Sequence, residues 1–134
     1  MTQDTDIQEQ REKAWDLLEL SKKEPETALE YLPEIREFLD NSDEDVRADG
    51  ALALRHIAEE HPEKVTRFTD KLTDLMDDDV RMPKYNAVRC VAELAASCPD
   101  DVRELRPKIE EMNEDKDQTV RNQAAKALAN LKNS

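Results

Sequence analysis

The residues best suited to chemistry lie in one short run, His56-Ile57-Ala58-Glu59-Glu60-His61. His56 and Glu60 are one helical turn apart, a spacing at which two side chains can share a metal, and Glu59 also lies near His56. His61 is five residues from His56, about 140° around a helix, and stands at a helix end before Pro62. The two-histidine, one-turn spacing of zinc-protease helices is therefore missing. Near a helix C-terminus, a protonated His61 is more simply a partner for the dipole. Cys90 and Cys98 are eight residues apart in one helical stretch, a rise of about 12 Å, too far for a disulfide. Free thiols in a reducing compartment are expected, packed as small core residues and lacking an activating turn. Asp43, Asp45, Asp49 and Gly50 do not keep the oxygen-ligand spacing of a calcium loop. The sequence thus predicts no catalytic set, no metal ligands and no cofactor.

Composition narrows the elements that could carry a site. The chain has 134 residues, enough for one domain, read as residues 1–134. A single glycine, Gly50, excludes phosphate-cradling loops, dinucleotide fingerprints and runs of tight hairpins, which need glycines at positive φ. With 33 acids against 20 bases the formal charge is −13, which argues against a nucleic-acid partner. No stretch approaches the roughly 18 apolar residues of a membrane span, and the acidic Met1–Asp6 start does not read as a leader. A cytoplasmic location is expected. The clustered acids and only four isoleucines suggest a halophilic, haloarchaeal composition, against which ten lysines weigh. Screening of so many carboxylates by salt should raise stability.

Two signatures alternate along the chain. Pro25, Pro62 and Pro99 recur every 37 residues. Each is followed at +3, +6, +10 and +13 by apolar residues on one helical face. These are Ala28, Tyr31, Ile35, Phe38; Val65, Phe68, Leu72, Leu75; and Val102, Leu105, Ile109, Met112. Proline suits the first helical position, where its missing N–H would have no partner. Between these segments, Asp45-Val46-Arg47, Asp79-Val80-Arg81 and Thr119-Val120-Arg121 each follow an acidic turn and open a second helix. Asp45, Asp79 and Thr119 are placed where an N-cap belongs. At +7, +8 and +11 from the valines come Ala53, Leu54, Ile57; Ala87, Val88, Val91; and Ala127, Leu128, Leu131. The pattern predicts about seven helices, near 5–23, 26–40, 45–61, 63–76, 79–98, 100–113 and 118–132. Such hairpins cannot bury their apolar faces alone, so they stack into an all-α, right-handed solenoid of antiparallel helix pairs.

The second helices carry a recognisable motif. Val120-Arg121-Asn122-Gln123-Ala124-Ala125-Lys126-Ala127-Leu128 and Val46-Arg47-Ala48-Asp49-Gly50-Ala51-Leu52-Ala53-Leu54 resemble the B helix of HEAT repeats, especially the short type of phycobilisome-lyase-like proteins. The central copy keeps Val80-Arg81 and Ala87-Val88 but has Lys84 and Tyr85 where the family pairs alanines. The resemblance covers about residues 26–132, with helix 1 as a degenerate N-terminal cap. It implies that Arg47, Arg81 and Arg121 form a ladder to acids of neighbouring turns, and that the B helices line a concave face.

On that face two departures from the motif mark a docking stripe. Arg55 and Arg89 stand at a position commonly small in the family, which Ala129 keeps. Met82, Tyr85, Arg89 and Glu93 form one stripe of a helix, with Arg55 and Glu59 at matching offsets on the preceding B helix. Tyrosine, arginine and methionine are the types enriched at interfaces. The sequence therefore points to a non-catalytic adaptor that binds another protein. The alternative implied by the resemblance is a lyase-like accessory that handles a chromophore or other small ligand.

Overall fold

A computed structural model describes residues 2–132, and the side chains from Asp6 to Lys132. Helix α1 (Thr2–Lys23) is followed by α2 (Pro25–Ala28), a 3-10 turn (Leu29–Tyr31) and α3 (Leu32–Leu39). Helix α4 (Glu44–Glu60) closes this first unit. The pattern then repeats as α5 (Pro62–Val65), a turn (Thr66–Phe68), α6 (Thr69–Leu75) and α7 (Arg81–Ser97). It repeats again as α8 (Pro99–Val102), a turn (Arg103–Leu105), α9 (Arg106–Met112) and α10 (Gln118–Lys132). No strand occurs among the described residues.

The long helices form one layer, in which α1 packs on α4, α4 on α7, and α7 on α10. The bent segments form the other layer, each against its own long helix. Buried Ala53, Ala87 and Ala127 allow close approach within the first layer, while Ile35, Phe68, Leu72 and Ile109 fill the space between layers. The result is the right-handed α-solenoid of helix pairs expected from the repeats.

Three details differ from the sequence reading. Each proline-led segment is not one helix but a four-residue turn, a 3-10 turn and a second helix. Pro33 and Pro107 restart two of these helices from their first turn, where proline's lost N–H costs nothing. Two of the caps also lie earlier. The Val46 amide donates to the Asp43 carboxylate (3.1 Å), so Asp45 is already inside the first turn of α4. The Thr119 amide likewise donates to Asp117 (2.7 Å). Before α7 the Val80 amide donates to Asp78 (2.9 Å) in the turn, and no side chain caps the helix itself. Finally, α7 starts at Arg81 rather than 79. An earlier start would place Pro83 deeper in the helix, its ring against a carbonyl one turn back. The later start keeps it in the first turn.

Gly50 sits where α4 crosses α3. A Cβ there would lie 3.0 Å from Phe38 Cβ and 3.2 Å from Leu39 Cδ2, so any larger residue would push α3 away by a few tenths of an ångström. Among the described residues no φ is positive, and its role is close approach.

Candidate functional site

The arginine ladder forms, and it starts one rung earlier than the motif revealed. The Arg47 guanidinium donates to the Asp78 carboxylate at 2.8 and 3.1 Å and to the carbonyls of Asn41 and Ser42 at 3.0 Å. Arg81 donates to Asp117 and to Thr119 Oγ1. On α1, Arg11 donates to Asp43 at 2.7 and 3.1 Å, which shows α1 to be a member of the long-helix layer. Arg121, at the other end, donates to the carbonyl of Asp115 in its own turn (2.7 Å). A second set of cations reaches back from the next unit, with Lys71 2.7 Å from Asp40 and Lys108 2.8 Å from Asp77. Lys84 also meets Asp115 at 2.7 Å. The acidic turns are thus bracketed by bases. Arg11, then the Val46 amide, hold the Asp43 carboxyl below its ordinary range, and hydrogen bonds from Thr119 and Arg81 do the same for Asp117.

The histidines do not converge. His56 Nδ1 lies 3.6 Å from Glu59, whereas His61 Nδ1 lies 3.9 Å from Glu63. Burial, then the Arg55 charge, lowers the His56 pKa. Cys90 is fully buried and its thiol is pushed up to about 12, by burial first and then by Glu93. Burial also raises Cys98, which is partly exposed. Neither thiol is activated as a nucleophile.

The six stripe residues fall into two groups. Arg55 pairs with Glu59 at 3.3 Å, and the Arg55 and Arg89 charges both reach His56. Arg55 and Glu93 both act on the Cys90 thiol, so these residues gather at one level of α4 and α7. Nearer the helix starts, Tyr85 is half-buried against the core beneath Arg81, whose guanidinium lies 5.3 Å from the ring. Met82 turns toward the preceding helix and is 43% exposed.

Met82 lines a groove of about 400 Å³ that crosses three long helices. Its other walls include Trp15 of α1, Asp49 and Leu52 of α4, and Asn86 of α7, with Arg11, held by Asp43 and Asp45, at one end. Trp15, the sole tryptophan, is 53% exposed. Asn86 is buried and donates from Nδ2 to the Ala48 carbonyl (2.9 Å), tying α7 to α4 beneath the groove. Among the described residues Asp49 forms no hydrogen bond and no ion pair within 4 Å. Burial, then the Asp45 charge, raises its pKa, opposed by Lys22. Lys22 itself, paired to Glu19 at 3.2 Å, holds its ammonium 5.8 Å from the Trp15 ring. The groove therefore joins an aromatic face, a thioether and an unpaired carboxylate, a set suited to a cationic side chain with an apolar stem.

Trp15 and Asn86 were not singled out from the sequence, and Asp49 was weighed only as a calcium-loop ligand. Helix α1 lacks the Val-Arg motif, so nothing in the repeat pattern aligns Trp15 with residues of α4 and α7.

No family model matches the sequence, and no curated protein does. Solved structures do match. The chain is similar to a computationally designed armadillo repeat protein for modular peptide recognition, with a TM-score of 0.79 and 21% identity over 90% of this chain and 57% of that one. A second designed armadillo repeat protein matches with a TM-score of 0.79 and 21% identity, over 91% of this chain and 58% of the other. An engineered protein matches with a TM-score of 0.77 and 21% identity, over 92% and 56%. The chain thus spans less than two thirds of the length of these structures. Identity this low speaks to architecture alone, and the architecture shown is that of a helical-repeat solenoid.

Proposed function

We propose that the chain is a non-catalytic protein-binding module that takes an extended, basic segment of a partner across its long helices. The observation that carries this reading is the groove in which exposed Trp15 and Met82 flank the unpaired Asp49 carboxylate. A lysine or arginine of the partner lies against the Trp15 face with its charge on Asp49, while Arg55, Glu59, Tyr85, Arg89 and Glu93 extend the contact along α4 and α7. The −13 charge favours a basic partner and disfavours nucleic acid. The likeness to a designed protein for peptide recognition supports the same direction. In this reading the chain is one domain, residues 1–134, capped by α1. Its Val-Arg helices are of HEAT type, its acidity is a halophilic trait, and it works in the cytoplasm. A chromophore-handling role rests on the motif resemblance alone.

Because Trp15 is the single tryptophan, its emission reports on the groove directly. Titration with a short lysine–serine peptide at low salt shifts that emission saturably, and the matching glutamate–serine peptide does not. An emission indifferent to the basic peptide rules the reading out.

A further inference from the structure

A second groove lies at the N-terminal edge, in the other layer. In the second and third units the residue six after the leading proline is covered: Phe68 is 2% exposed and Leu105 9%. The equivalent residue of the first unit, Tyr31, is 40% exposed. The difference comes from position in the stack. Phe68 is covered by the preceding bent segment, whose Arg36 guanidinium stands 4.7 Å over its ring and donates to Asp70 (3.2 Å) and to the Arg67 carbonyl (2.9 Å). Among the described residues no bent segment precedes α2 and α3, because α1 belongs to the long-helix layer. The space that such a segment would fill is a groove of about 530 Å³, floored by Leu17, Leu20, Tyr31 and Phe38.

Its rim carries a charge change. Nine residues after the leading proline the later units have Lys71 and Lys108, which bond Asp40 and Asp77 of the preceding turn. The first unit has Glu34 there, with Glu37 beside it on the groove, and the facing wall of α1 adds one base and one acid, Lys13 and Asp16. A second copy stacked end to end would bring Glu114, the counterpart of Asp40 and Asp77, against Glu34, a repulsive match.

We propose that this groove is a docking site for an amphipathic helix of a partner protein, which seats an arginine over Tyr31 and a basic residue against Glu34. The template is internal to the fold: Arg36 over Phe68 shows how such a helix lies, and Glu34 reverses the sign of the charge it must bring. Phe38, Leu17 and Leu20 meet the apolar face of the helix. This site is separate from the Trp15 groove and does not depend on it.

A helix-stabilised peptide of residues 32–40 bearing Asp40→Lys is the probe, since α3 carries the Arg36 that covers Phe68 in the intact fold. Titrated against the whole protein, it is expected to bind saturably. Arg36→Ala in the peptide, or Tyr31→Ala or Glu34→Lys in the protein, weakens binding by about tenfold or more, while Tyr31→Phe retains it. The exposed position of Tyr31 leaves the melting temperature of the Tyr31→Ala variant close to that of the parent. Failure to saturate by millimolar peptide, or equal binding to Tyr31→Ala, overturns the proposal. So does a concentration-dependent dimer that Tyr31→Ala dissolves, because the groove would then belong to a second copy.

Discussion

At the scale of residues, carboxylates in neighbouring positions are used in opposite ways. Asp43 is fully engaged: it accepts from the Val46 amide at the start of α4 and from Arg11 across the layer. Its pKa is lowered, so its stabilising effect is complete above the unfolded value of about 3.9 and is lost as pH falls through the lower folded value. Asp43→Ala should therefore cost about 1 kcal/mol at pH 7 through the lost cap alone. The gap to the parent, read by urea denaturation, narrows as pH drops below 4. A gap that is constant with pH would show that the ionised cap and rung contribute nothing. Asp49, six residues on, is half-buried without such partners, and its pKa is raised. A half-buried carboxylate without a partner within the fold is available to a cation from outside it.

At the scale of elements, the apolar offsets define both layers, because helix periodicity and the leading prolines act locally. What the offsets miss depends on neighbours. Tyr31 obeys the same pattern as Phe68 and yet faces solvent, since no bent segment precedes it among the described residues. The start of α7 shifts because Pro83 adds a steric limit on top of the capping pattern. Of the candidate groove, Met82 was legible from its stripe, but Trp15 and Asp49 become neighbours only once α1 is known to stack on α4. The crossing of α3 and α4 gives a test of packing at this scale. Gly50→Ala gains about 1 kcal/mol in helix propensity. The added methyl meets Phe38 at its Cβ, an atom that cannot swing away, and such overpacking costs about 1–3 kcal/mol. The melting temperature should fall, and a rise would show that α3 yields without strain.

At the scale of the whole molecule, the two ladders bind successive units together, with Arg11, Arg47 and Arg81 reaching forward and Lys71 and Lys108 reaching back. They hold acids of the turns but leave the excess of 33 carboxylates over 20 bases in place. Surface pairs of this kind weaken little with salt in absolute terms, being worth about 0–1 kcal/mol each. Repulsion over the whole surface is screened over about 10 Å at 0.1 M and 3 Å at 1 M. The melting temperature should accordingly rise between these concentrations, and a flat or falling curve would contradict the halophilic reading. In the proposed function the acid field acts together with one groove, that of Trp15 and Asp49. The most direct test of this reading is the affinity of Asp49→Asn for the lysine–serine peptide, followed by Trp15 emission at low salt. A loss of about tenfold, or 1.4 kcal/mol, is predicted. Affinity equal to that of the parent would contradict the assignment.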